Sequence, residues 1–160
     1  MCWPSLKRRE DAQRWHERET LKVYHRSKRH DWETPWPIFA EYDREFHFTL
    51  DVCATAENTK CARFFPPEVN GLVQDWGQER CWMNPPYGRE LPDWMQKASE
   101  SALAGALVVA LVPSRTGTIW WHEWVHKKAE VRLRKGRITF VGASHPAGFD
   151  SAAVIFRPPA

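Results

Sequence analysis

Four cysteines in 160 residues, none of them in a C-x-x-C pair, suggest neither a zinc ribbon nor a disulfide framework, so Cys2, Cys53, Cys61 and Cys81 are expected to be free thiols. No glycine-rich phosphate loop, internal repeat or low-complexity tract is present. The longest apolar run, from Ala102 to Pro113 and broken only by Gly105, falls well short of the roughly 20 residues that span a bilayer. No membrane span is expected. The first nine residues carry charge without the apolar centre of a secretory signal, which makes the cytoplasm the expected location. The seven histidines are scattered, and His122 and His126, though at helical spacing, lack the supporting acids of a metal pattern. Chemistry without a metal is the expectation.

What the chain does have is a hydrophobic content of 42%, enough at this length for one globular core. Its net charge of +3 is unevenly spread. Residues 1–30 hold nine Lys or Arg against four acids, and the rest of the chain is slightly acidic. A basic helical extension over 1–30 followed by one domain over 31–160 is the expected organisation. A second basic cluster, Lys127, Lys128, Arg132, Arg134, Lys135 and Arg137 against Glu130, reaches +5 within eleven residues. Two such patches suit a phosphate backbone, while an exposed strand edge protected by charge is the structural alternative. Ten tryptophans are many for this length, and most are expected to pack rather than to stack on bases.

The hydrophobic pattern alternates between strand and helix. Thr34 with Pro35 reads as a helix start carrying Ile38, Phe39 and Tyr42 inwards. The alternation Phe46, Phe48, Leu50, Val52 predicts a strand over Phe46–Ala54 that delivers Asp51 near its carboxyl end. A short strand over Arg80–Asn84 follows, then a helix opened by Pro92 with Trp94, Met95, Ala98, Ala102 and Leu103 at helical spacing. Ala106–Val112 is apolar throughout, as expected for a central parallel strand covered on both faces. A helix from Thr116 or Thr118 through Trp124 is expected next. The last strands are expected around Val131, Leu133, Ile138 and Phe140 and over Ala153–Phe156. This succession predicts a layered α/β domain whose ligands sit at the carboxyl ends of the strands. Asp51, Asn84 and Ser114-Arg115 all fall at such ends.

Asn84-Pro85-Pro86-Tyr87, directly after the apolar Cys81-Trp82-Met83, narrows the chemistry most. Asn-Pro and Pro-Pro also mark ordinary turns, but the four side chains together suit methyl transfer onto an amino nitrogen. Such a nitrogen in adenine, cytosine or a carboxamide is a poor nucleophile, because its lone pair is delocalised into the neighbouring π-system. An Asn side-chain oxygen and the following backbone carbonyl can accept its two hydrogens and draw it towards tetrahedral geometry. The prolines stiffen the turn so that the Pro85 carbonyl points one way. Tyr87 would offer a flat face for a base.

The chain resembles the phage and prophage DNA N6-adenine methyltransferases, the small Dam-like enzymes, from about Val23 to Arg157. The resemblance rests on an ordered series: Asp31-Trp32-Glu33-Thr34-Pro35, Phe48-Thr49-Leu50-Asp51-Val52, Ala56-Glu57-Asn58, Gly71-Leu72-Val73-Gln74-Asp75-Trp76 and Asn84-Pro85-Pro86-Tyr87-Gly88-Arg89-Glu90. It continues with Val112-Pro113-Ser114-Arg115-Thr116, Trp120-Trp121, Gly136-Arg137-Ile138-Thr139-Phe140 and Val154-Ile155-Phe156. It implies a Rossmann-like methyltransferase sheet, mostly parallel with an antiparallel C-terminal strand and helices on both faces, and S-adenosylmethionine as methyl donor. It also implies Asn84, Pro85, Pro86 and Tyr87 as catalytic residues, and Thr34, Pro35, Asp51, Cys53 and Asp75 around the donor. DNA is the implied partner, met by Arg89, Arg115, Lys127, Lys128, Arg134, Lys135 and Arg137. Phe149 is expected to pack in the core or to give a second stacking face. The segment after Asp51 lacks the glycine-rich turn of larger methyltransferases, and no separate target-recognition domain is visible. Cytosine N4 methylation, glutamine methylation on a protein and a DNA-binding protein without turnover are the rival readings.

Overall fold

The computed structural model describes residues 32–160. The basic helical extension expected over 1–30 lies outside them. Helix α1 runs over Trp36–Phe46 and puts Phe39, Tyr42 and Phe46 on one buried face. Its N-cap is Pro35, in an extended conformation, with no side-chain capping bond. Thr34 therefore does not cap, contrary to expectation. The helix ends at His47, whose left-handed φ of 51° lets its N–H reach the Asp43 carbonyl. Phe46 thus belongs to the helix, and the strand expected over Phe46–Ala54 shrinks to β1, Leu50–Asp51. The alternation was misleading because its residues part company: Phe46 and Phe48 pack beside α1, whereas Leu50 and Val52 enter the core on the other side.

A single 3-10 turn at Gly71–Val73 interrupts the long connection to β2, Arg80–Met83. Helix α2, Leu91–Leu103, has Pro92 in its first turn, as the sequence suggested, and returns the chain to β3, Leu107–Pro113. The helix expected after Thr116 is a π-helical turn at Trp121–Val125. Strand β4 covers Glu130–Leu133 and β5 covers Ser151–Phe156, both near the predicted places. Ile138 and Phe140 are buried without being strand residues, since they pack from a loop. Val131 and Leu133 stay exposed on the outer strand.

The five strands form one sheet in the order β1-β2-β3-β5-β4. β1, β2 and β3 are parallel, and β5 runs antiparallel between β3 and β4. Residues of alternate parity divide the core in two. Met83, Val108, Ala110, Val112, Ala152 and Val154 pack under α2 and the π-helical turn, whereas Trp82, Val109, Leu111, Ala153 and Ile155 pack under α1. Helices therefore cover both faces, which is why β3 has no polar residue. Burial of each Val or Leu side chain there contributes about 1.5–3 kcal/mol.

Candidate active site

The parallel strands end at one edge of the sheet. Val52 follows β1, Asn84 follows β2 and Ser114 follows β3. Because β5 is antiparallel, its first residue Ser151 lies opposite Pro113 at the same edge, and β4 delivers Leu133, opposite Ala152, to it as well. Ser114 is fastened there by its N–H to the Asp150 carbonyl at 2.9 Å.

At this edge the Asn84 carboxamide is held at both ends. Its Nδ2 donates to the Trp32 carbonyl. Its Oδ1 accepts from the Tyr87 hydroxyl at 2.6 Å, and that hydroxyl lies 2.8 Å from the Leu111 carbonyl in β3. Among the described residues no donor meets the Pro85 carbonyl. Two acceptors thus stand at a strand end, one oriented by its neighbours and one without a donor among the described residues.

Tyr87 itself is placed differently from expectation. Its ring is only 3% exposed and meets Phe140 and Phe149 edge-on, at centroid distances of 6.2 and 5.6 Å. It is buried rather than presented as an open stacking face. Burial also pushes its hydroxyl well above the usual tyrosine range, so the group stays protonated. Phe149 is half-buried and packs against Trp32, Tyr87 and Phe140, which makes it part of the core on the α1 side.

The Trp32–Pro35 segment crosses the same edge. The Trp32 ring packs against Phe140 and Phe149, and Glu33 holds Lys60 by an ion pair of 3.1 Å while its carbonyl accepts from the Val141 N–H. Thr34 is buried, and its Oγ1 has no hydrogen-bond partner among the described residues. An unmet hydroxyl in so enclosed a place is costly. The Trp32 and Leu111 carbonyls were not foreseen from the sequence, because any residue carries such a group.

Asp51 ends β1, buried to 2% exposure. Its Oδ1 accepts from the Cys53 N–H at 3.3 Å and its Oδ2 from the Lys60 N–H at 3.0 Å, so the carboxylate ties down the 52–60 loop. Desolvation nevertheless wins over those two bonds and raises its pKa to about 6. Burial pushes the Cys53, Cys61 and Cys81 thiols up to about 12, so they remain thiols at neutral pH. All three are free. Among the described residues no group of three or more His, Cys, Asp or Glu is arranged to hold a metal. His122 instead meets the Thr116 carbonyl through Nε2 at 2.9 Å.

Asp75 does not join this edge. It precedes β2, accepts the Gly77 N–H at 2.8 Å in a local turn and shares a shallow cleft with Lys97, Glu100, Ser101 and Ala104 of the distal half of α2. The chain is then at the opposite end of the sheet, where the Leu107 N–H meets the Glu79 carbonyl. The residue is a turn former, and the donor contact expected of it has no support in its position.

The basic cluster is likewise divided by the fold. Lys127 and Lys128 precede β4 and lie at the edge away from Asn84, with Lys128 donating to the Glu123 carbonyl and sitting over Trp124. Arg132 is held by Glu45 and Glu130 at 2.6 and 2.7 Å. Arg134 donates to Glu41 at 3.0 Å and to the Tyr42 hydroxyl at 2.9 Å, which fastens β4 to α1. Arg137 meets Asp150 at 3.3 Å across an exposed pair. Arg89, Arg115 and Lys135 are exposed on loops at the Asn84 edge and form no ion pair among the described residues.

Comparison with known proteins gives this edge a context. Over 113 residues, 69% of its length, the chain is 39% identical to the DNA N-6-adenine-methyltransferase of Haemophilus phage HP1 (strain HP1c1), covering 65% of that protein. Over 103 residues, 62% of its length, it is 33% identical to the DNA N-6-adenine-methyltransferase of Escherichia phage T1, covering 42% of it. It thus spans less than two thirds of either relative. The model of the family described as DNA N-6-adenine-methyltransferase (Dam) matches residues 22–155, a stretch that contains Asn84-Pro85-Pro86-Tyr87 and all of the sheet but the last residue of β5, and the chain belongs to that family.

Proposed function

We propose that this protein transfers a methyl group from S-adenosylmethionine to the N6 amino group of adenine in DNA, on a Rossmann-like methyltransferase sheet. The observation that carries the reading is the Asn84 carboxamide, fixed at the end of β2 beside an unclaimed Pro85 carbonyl, in a member of this family. Adenine turned out of the duplex presents two amino hydrogens to these two oxygens. As they accept, the nitrogen lone pair is released from the ring and becomes nucleophilic. No covalent enzyme intermediate is needed, and rate enhancement comes from positioning and from the two acceptors.

The donor supplies an electrophilic methyl group on a sulfonium. The residues present fit it: the buried Thr34 hydroxyl lacks a partner among the described residues, and a carboxylate would satisfy it. Thr34, Pro35, Asp51 and Cys53 would hold the donor, with Asp51 keeping the 52–60 loop in place and the neutral Cys53 thiol adding no charge near a cation. Asp75, at the far end of the sheet, is left out. On the DNA side, Arg89, Arg115 and Lys135 are cations at this edge, among the described residues, that can meet phosphates, with Arg137 joining them if its exposed pair with Asp150 opens.

The reaction is tested by incubating the protein with labelled S-adenosylmethionine and unmethylated DNA, then separating the nucleosides by mass. N6-methyladenine supports the reading. N4-methylcytosine would replace the target base, and absence of transfer together with absence of donor binding would leave a DNA-binding protein without turnover.

A further inference from the structure

The Tyr87 hydroxyl has one proton and two acceptors, Asn84 Oδ1 at 2.6 Å and the Leu111 carbonyl at 2.8 Å. The far end of the same carboxamide faces the Trp32 carbonyl. A carbonyl only accepts, so the Asn84 end beside Trp32 must be the NH2 group and the end beside Tyr87 must be the oxygen. The one proton is shared by the two acceptors in a three-centre bond weighted to the shorter contact, so Asn84 Oδ1 and the Leu111 carbonyl are tied together through the hydroxyl. Burial of the ring between Phe140 and Phe149 leaves the hydroxyl no other place to turn than Leu111.

We propose that Tyr87 is a positioning residue for the methyl transfer: its hydroxyl, anchored on β3, holds Asn84 Oδ1 at the spot where the amino group of the base is received. The inference rests on the reading of Asn84 given above and adds to it a role for the hydroxyl rather than the ring. One lone pair of Oδ1 is used by Tyr87, and the other remains for the substrate. The Trp32 carbonyl sets which end of the carboxamide faces the base, and Tyr87 sets where that end stands. Without the hydroxyl the carboxamide keeps its orientation and loses its anchor to the sheet.

The test is a double-mutant cycle on kcat with Tyr87→Phe, Asn84→Ala and the combination, together with KM for donor and DNA and the melting temperature of each variant. Phenylalanine keeps the ring and its packing. The expected result is a fall in kcat between about 10- and 100-fold in Tyr87→Phe, as for a catalytic group slightly out of place, with both KM values within about twofold. In the Asn84→Ala background the same change should cost nothing further, because the group it positions is gone. An unchanged kcat in Tyr87→Phe, or the same loss in both backgrounds, overturns the inference; so does a rise in kcat, which would mean that the hydroxyl merely weakens Oδ1 as an acceptor. If the parent protein transfers no methyl group at all, the proposed function has failed instead, and the two failures are told apart by that control.

Discussion

At the level of single residues, the candidate site was legible where a side chain forms it and illegible where a backbone atom does. Asn84 and its prolines stand out in the sequence because their combination is unusual, and their place at the end of β2 agrees with what that combination requires. Trp32 and Leu111 meet Asn84 and Tyr87 through carbonyl oxygens, which leave no trace in residue type. Tyr87 was read as a flat face, since its ring is what sequence reveals; burial turns attention to its hydroxyl. Asp51 yields a prediction of its own. Its folded pKa of about 6 lies above the ordinary 3.8, so between these values the native state keeps a proton that the unfolded chain has released. Its contribution to stability is complete below about pH 4 and is lost as pH rises through about 6, a change of about 3 kcal/mol at most. The carboxylates of Glu45, Glu79 and Glu130 run the other way: Arg132, then Thr49 with Arg63, and Arg157 with Arg132 respectively hold them low, and their contributions fade as pH falls. Carbon-13 NMR of the Asp51 carboxyl should show a midpoint near 6. A midpoint at the ordinary value would mean that the loop over it opens to water.

Among the elements, those with one strong physical cause were the ones foreseen. β3 is apolar throughout because both faces are covered, and α2 follows the spacing Trp94, Met95, Ala98, Ala102 after Pro92. The first strand was overextended because apolar alternation across a helix end cannot be told from a strand; only the left-handed turn at His47 separates them. The π-helical turn at Trp121–Val125 has no sequence signature, and the buried loop carrying Ile138 and Phe140 looks like a strand to any hydrophobicity count. Gly71 shows how tightly the connection after β1 is fitted. A Cβ there would stand 2.1 Å from the Val52 carbonyl oxygen and 3.1 Å from the Trp94 ring, so backbone has to move. Gly71→Ala should destabilise the protein by about 1–3 kcal/mol in urea unfolding, as overpacking does. A stability equal to the parent would show that this turn is free to shift relative to β1 and α2.

For the whole molecule, the antiparallel β5 is decisive, because it sits between β3 and β4 and brings the Phe149–Ser151 segment to the edge that carries Asn84. The alternation of strands and helices foretold the α/β architecture, but the partition of the basic cluster was invisible, since residues adjacent in sequence lie at opposite ends of β4. Replacing Arg89 and Arg115 by Gln should lower the steepness with which DNA affinity falls with salt by about one to two in the log–log slope, at about 0.9 per phosphate contact. Replacing Lys127 and Lys128 by Gln should leave that slope unchanged; the reverse pattern would put DNA on the other edge. Single-turnover methyl transfer to DNA by the parent protein and by Asn84→Ala, with donor binding measured calorimetrically in both, decides whether the two acceptors at the end of β2 do the chemistry. The parent should yield N6-methyladenine, and Asn84→Ala should react at least about 100-fold more slowly, as for loss of an oxyanion-hole partner, with donor affinity retained. An Asn84→Ala rate equal to the parent's would contradict that role.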